Sequence, residues 1–158
     1  MDKKSARIVI DSDDTGLELK KTIYAHIRAK DFEIDDLSYL LNKPEAAYPE
    51  IGYHLAQKIK AGEYDRGILI CGTGIGMAII ANKVEGVYAG VCHDVYSAER
   101  LKKSNNAQVL TMGARVIGSE LAKTIVDAWL KSEFEGGGSM PKVEEIHRLE
   151  KDSFHRPA

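Results

Sequence analysis

The chain is short of several things that mark whole classes of protein. It has two cysteines, Cys71 and Cys92, too few for a disulfide scaffold, so reduced thiols in the cytoplasm are expected. It has no basic block and no aromatic-basic stripe. Its 22 basic residues are interspersed with 24 acidic ones, for a formal charge of −2, and a nucleic-acid surface is not expected. No apolar run approaches the length of a membrane span, and "MDKKSARIVI" lacks the apolar core of a secretion signal. No His/Asp/Glu cluster has ligand spacing, so neither a metal nor another cofactor is expected.

What remains is an ordinary globular composition, 44% hydrophobic and 29% charged over 158 residues, enough for one domain spanning 1–158. Short β-branched runs alternate with stretches of helical period. "ARIVI" (6–10), "FEIDDL" (32–37), "GILIC" (67–71), "VYAGVC" (87–92) and "AQVLTMG" (107–113) read as strands. The third is a continuous apolar run of the kind that parallel sheets bury on both faces. Between them Leu19, Ile23 and Ile27, then Ile51, Leu55 and Ile59, recur at helical spacing, with Pro49 near the start of the second helix. Further helices are expected over about 75–84, through Ser97–Lys103, and across Leu121, Ile125, Ala128 and Trp129. The alternation predicts an α/β fold, a Rossmann-like three-layer α/β/α sandwich around a mostly parallel sheet of about five strands. After the break at "EFEGGGSMP" (133–141), a polar helix over about 142–152 completes the chain. The tail from about 136 to 158 is expected to contact a partner subunit.

The stretch "GILICGTGIGMAIIANK" (67–83) carries the chemistry. Cys71 stands at the carboxyl end of a strand, where parallel α/β sheets bind ligands. Gly72, Gly74 and Gly76 then allow close backbone approach, and the following helix presents N–H groups and partial positive charge to an anion. The same field favours a reactive thiolate. Taken alone, the glycines are also what any tight strand-to-helix turn needs, with Cys71 a small core residue. Familiar alternatives fail on position. A cysteine phosphatase loop needs Arg six residues after the thiol, where Met77 stands. A dinucleotide loop belongs after the first strand, which reads "DSDDTG", and no Gly-Lys-Ser/Thr follows the glycines.

Other polar residues are expected at the same sheet edge. They are Asp13 and Asp14 after strand one, His93 and Asp94 after strand four, Ser104, Asn105 and Asn106 before strand five, and Arg115 after it.

"ICGTGIGMAIIANKVEGVYAGVC", "YSAER…SNNAQVLTMGARVIGSELAKTIVDAWL", the opening strand with Asp13, and "AYPEIG" together resemble the type B ribose-5-phosphate isomerases, a family that includes galactose-6-phosphate isomerase subunits. The resemblance runs over roughly 6–150. It implies a Rossmann-like homodimer, or a tetramer built from it, with sites shared between subunits. The implied reaction is metal-free aldose–ketose isomerisation of a small phosphorylated sugar through an enediolate. It also implies that Cys71 is the base moving a proton between C1 and C2, and that Thr73 helps with proton handling. The loop Gly72, Thr73, Gly74, Ile75, Gly76 would then hold the sugar oxygens and the enediolate. Asp13 would bind hydroxyls, Asn105 would touch the substrate, Arg115 would hold the phosphate, and Tyr48 of "YPEIG" would line the pocket.

The departures from the family pattern are specific. Asp14 replaces a phosphate-assisting His, and Ser104 replaces the ring-opening His. Gly138 and Lys142 stand where two Arg are usual, with Ser139 for a His. His93 is a candidate substitute proton carrier, and Lys142 a candidate contact to the partner's phosphate. A tetrulose 4-phosphate cannot close a furanose ring, so an isomerase for erythrulose 4-phosphate needs no ring-opening histidine. An unphosphorylated sugar is a further reading, because Asp14 is a poor neighbour for a phosphate. A non-catalytic sugar-phosphate sensor, or a silent subunit beside an active paralogue, is the reading from another class.

Overall fold

The computed structural model describes residues 6–157; the expected domain span and the stretch read for a leader extend beyond it. The strands are β1 (Ile8–Ser12), β2 (Ile34–Asp36), β3 (Arg66–Cys71), β4 (Ala89–Val91) and β5 (Val109–Gly113). The helices are α1 (Leu17–Arg28), α2 (Tyr39–Asn42), α3 (Tyr48–Lys60), α4 (Ile75–Ala81), α5 (Val95–Lys103), α6 (Ser119–Lys131) and α7 (Met140–Phe154). A single 3-10 turn, Gly137–Ser139, leads into α7. Among the described residues no helix is long and apolar enough to cross a membrane.

All strand pairs are parallel, in the order β2-β1-β3-β5-β4. Side chains of a strand alternate between faces, and both faces are apolar here. Ile8, Ile10, Ile68, Ile70, Leu110 and Met112 pack against Leu19, Ile23 and Ile27 of α1, Ala98 of α5, and Ile125 and Trp129 of α6. Val9, Leu69, Cys71 and Val109 face Ile51, Leu55 and Ile59 of α3 and Met77 and Ala81 of α4. The expected three layers are therefore present, and the helical repeats read from the sequence are the buried ones. Each such fully buried aliphatic side chain contributes about 1.5–3 kcal/mol, so these two stripes decide which side of every helix faces inward. Cys71 and Cys92 fall in opposite layers, both as free thiols.

Two local expectations are corrected, and one short helix was not expected. Three strands are shorter than the runs they were read from, β2, β4 and β5, with β4 keeping only three residues, whereas β1 runs on to Ser12 and β3 starts at Arg66. On α6, Leu121 is 42% exposed while Ala122, Val126 and Leu130 turn inward. The short α2, with an exposed Leu41, carries too few residues to show a period.

The chain leaves β1 for β2 on one side, then crosses to β3 on the other. This reversal leaves a crevice above the carboxyl ends of β1 and β3, where α/β folds take ligands. A buried ion cluster firms up the β1 side of it. Lys20 donates to Asp36 at 2.8 Å and to Asp11 at 3.4 Å, and burial raises the Asp11 carboxyl above its ordinary range.

Candidate active site

A cleft of about 400 Å³ occupies that crevice. Asp13 and Thr15 from the turn after β1 form one wall, and Cys71, Gly72 and Thr73 from the end of β3 form the floor. Ile75, Gly76 and Ile79 of α4, with Tyr48 of α3 and Arg115 after β5, complete it.

Cys71 is 5% exposed, and its Sγ accepts a hydrogen bond from the Gly74 N–H at 3.1 Å. Gly74 has φ +78° and rests on the Met112 backbone, so an L side chain there meets both backbone strain and a clash. Gly76 permits a second close approach, because a Cβ on it would fall on the Tyr48 ring. Thr73 Oγ1 accepts from the Ile75 N–H at 3.2 Å, satisfying one donor of the first turn of α4. Among the described residues the N–H groups of Thr73 and Gly76 have no protein acceptor. They are available to an anionic oxygen beside the thiol.

The β1 turn is locally braced. Asp13 Oδ1 accepts from the Thr15 hydroxyl at 2.6 Å and from the Gly16 N–H at 3.1 Å. Both bonds fall on one oxygen, leaving Oδ2 for a ligand hydroxyl. Arg115 is tied to the floor through its backbone N–H, which donates to the Gly72 carbonyl at 3.0 Å. Its guanidinium has no side-chain partner among the described residues and lies close to Gly72. A free guanidinium lining the same cleft as unpaired amides suits a phosphate.

Several expected residues stand elsewhere. Asp14 is exposed and accepts from the Thr15 N–H at 3.0 Å, outside the residues lining the cleft. His93 sits at the correct edge, but its Nε2 accepts from the Gly113 N–H at 2.9 Å, so that nitrogen is engaged in holding the β5 end.

Ser104, Asn105 and Asn106 are not at the Cys71 edge, which corrects the grouping drawn from the sequence. A residue that precedes a parallel strand stands at the sheet's amino edge, opposite the residues that follow strands. Asn105 lines a separate hollow with Asn82, Tyr88 and Val143. Ser104 Oγ accepts from Arg100 at 3.3 Å. Lys142 is exposed on the first turn of α7, away from the cleft lining of its own chain.

Two contributors were missed, Thr15 and Ile79. Thr15 was legible as the hydroxyl two residues after Asp13 in "DSDDTG", at the spacing of an Asx-type turn. Ile79 is an apolar residue on the outward side of α4, 57% exposed, and nothing in its immediate sequence marks it.

The chain matches the family described as Ribose/Galactose Isomerase over residues 8–146. It is 53% identical over 149 residues to the D-erythrulose-4-phosphate isomerase of Pectobacterium atrosepticum, covering 94% of this chain and 98% of that one. It is 47% identical over 144 residues to the ribose-5-P isomerase B of Listeria innocua, covering 91% and 97%. Among solved structures it is similar to the ribose-5-phosphate isomerase B of Clostridium thermocellum, with TM-score 0.87, 42% identity, and coverage of 93% and 99%.

Proposed function

The chain belongs to the ribose/galactose isomerase family as an aldose–ketose isomerase of sugar phosphates, and from that premise we propose that Cys71 is its base and a tetrose 4-phosphate its substrate. The observation that carries the first part is the Cys71 sulfur. It lies in a cleft at a helix N-terminus and receives the Gly74 N–H at 3.1 Å, beside two further N–H groups without a protein acceptor among the described residues.

Starting from the aldose, the thiolate takes the proton from C2, and the electron pair moves toward the carbonyl oxygen on C1. The oxygen that gains charge is met by the unpaired N–H groups of Thr73 and Gly76. These donors favour the enediolate over the ground state. The Thr73 hydroxyl stands beside them and passes a proton between the two oxygens. Cys71 then returns its proton to C1, and the C2 oxygen becomes the ketone. Asp13 Oδ2 holds a hydroxyl of the sugar, and Arg115 holds the phosphate.

Two features support a four-carbon substrate. Ser104, at the position of the family's ring-opening histidine, spends its hydroxyl on Arg100. A tetrose 4-phosphate carries its phosphate on the oxygen that would close the ring, so no ring has to be opened. The relative from Pectobacterium atrosepticum is named for such a substrate.

The functional unit is a dimer with shared sites. Ile75 and Ile79 are 55% and 57% exposed on α4, directly beside the cleft, an apolar face that a second copy would cover. Asn105 and Lys142 lie away from the cleft of their own chain, and in this arrangement the partner supplies them. α7 is held on its own chain through Tyr88, which stacks on His147 and donates its hydroxyl to Glu150, and from there its first turn presents Lys142 to the partner.

A turnover panel of tetrose 4-phosphates, pentose 5-phosphates and hexose 6-phosphates tests the substrate. A higher kcat/KM for the erythrose/erythrulose 4-phosphate pair is expected. Preference for ribose 5-phosphate would overturn the four-carbon reading while leaving the role of Cys71 intact.

A further inference from the structure

We infer that Thr111 is a positioning residue for Cys71, acting through the backbone of Gly74; the inference rests on the reading of Cys71 as the base. Thr111 lies on β5, fully buried, and no expectation drawn from the sequence gave it a part in the site. Its register partner across the sheet is Leu69, as Gly113 is the partner of Cys71. Paired residues of a parallel ladder share a face, and alternate residues of a strand return to it. Thr111 and Cys71 therefore project into the same layer, under the loop that climbs from β3 into α4.

There the Thr111 hydroxyl donates to the Gly74 carbonyl at 2.8 Å. The Gly74 N–H donates to Cys71 Sγ at 3.1 Å. One residue is thus held at both polar ends, by the strand on one side and the thiol on the other. With φ at +78° and so close to the Met112 backbone that a Cβ would clash with it, Gly74 has little room to turn without losing one of these contacts. Its carbonyl also accepts the Ala78 N–H at 3.1 Å, the first backbone bond of α4. Removing the Thr111 hydroxyl therefore leaves the carbonyl partnered. What is lost is the constraint that aims the amide at sulfur.

A threonine on this interior face is otherwise hard to account for. Its neighbours in the layer are aliphatic, Val109 and Leu69 among them, and a valine of the same shape would suit them better. The hydroxyl is kept where it reaches the one carbonyl that belongs to the thiol's hydrogen-bond donor.

The test compares Thr111→Val, which keeps the shape, with Thr111→Ser, which keeps the hydroxyl. Two readouts are needed: steady-state kinetics, and the rate of Cys71 carboxamidomethylation by iodoacetamide as a function of pH. For Thr111→Val, kcat is expected to fall about threefold to tenfold, the worth of one hydrogen bond, with KM little changed. Its alkylation profile at Cys71 should move to higher pH, because the thiolate loses a well-aimed donor. Thr111→Ser should restore both. A role in packing alone predicts the reverse pattern, a lower melting temperature in the serine variant only, kcat unchanged in the valine variant, and an alkylation profile that does not move. That outcome, or a serine variant no better than the valine variant, would overturn the inference. If Thr111→Val does not fold, Thr111→Ala is compared with Thr111→Ser in the same two assays. Alkylation needs no turnover, so a Cys71→Ala variant that stays active would refute the base assignment separately.

Discussion

The Gly113 N–H donates to His93 Nε2 at 2.9 Å, joining the end of β5 to the loop after β4. The acceptor nitrogen carries no proton, so the ring proton is on Nδ1. Gly113 in turn lies so close to Thr73 and Gly72 that a Cβ on it would overlap their backbone. The imidazole therefore supports the floor of the cleft from behind. A His93→Ala variant should lose about 1–3 kcal/mol of stability, the cost of a buried N–H left without an acceptor. Turnover should fall with it. Urea melts and kcat measured well below the transition check both; unchanged stability would leave His93 available for another part.

Replacing Cys71 by alanine should reduce kcat about 100- to 10,000-fold, the range expected for loss of a positioned base. Sugar-phosphate binding should persist, since Asp13, Arg115 and the free amides remain. Calorimetric titration beside steady-state rates separates the two effects. An active alanine variant would move the chemistry to another residue.

The two thiols should differ sharply toward an alkylating agent. Cys92 is 3% exposed, and burial, with the nearby Asp94 charge, pushes its thiol up to about 11. At neutral pH the native protein should gain a single adduct, on Cys71, with activity lost in step. Peptide mass spectrometry gives the site, and equal labelling of Cys92 would contradict this contrast.

Shared sites can be tested by mixing. Cys71→Ala and Asn105→Ala homodimers should each be nearly inactive. After unfolding and refolding together, each mixed dimer has one site with both residues intact. Activity should recover to about a quarter of wild type for random pairing of two subunits. No recovery would place Cys71 and its required Asn105 in one chain, and an Asn105→Ala protein that is active by itself would make Asn105 dispensable.

Acid should expose the cap of α5. Asp94 accepts from the Ser97 hydroxyl and the Ser97 N–H, both at 2.7 Å. The Ser97 hydroxyl first, and then its amide, hold the Asp94 carboxyl below the ordinary range. A lowered folded value means that the cap stabilises above the unfolded value and fades as pH falls through the folded one. Asp94→Ala should therefore melt lower than wild type at neutral pH. The gap should close only below about pH 4, where aspartate titrates.

Much of this was legible because it repeats locally. The aliphatic stripes at Leu19, Ile23 and Ile27, and at Ile51, Leu55 and Ile59, are the buried faces of α1 and α3. The glycine run lies where a strand meets a helix, and Tyr48 lines the cleft as its segment suggested. What was not legible depends on neighbours far along the chain. The local pattern of "VYAGVC" does not say that it pairs with β5 alone. Asn105 was assigned to the wrong edge because strand direction, rather than nearness to a strand, decides where a loop residue stands. Thr111 looked like any β-branched strand residue, and only the fold brings the Gly74 carbonyl within its reach.

The strand order also sets a sequence of events in time. β4 emerges in the chain before β5, yet among the described residues its only ladder partner is β5, which takes the slot between β3 and β4. Until Val109–Gly113 has been made, the sheet ends at β3 and β4 has nothing to pair with. Such pairing of distant segments forms late and slowly. Thr111, Gly113 and Arg115 all arrive with that last central strand. A growing chain can thus bury much of its apolar surface around β1 and β3 while Cys71 still lacks its surroundings. The thiol reaches its final surroundings only when the sheet is finished.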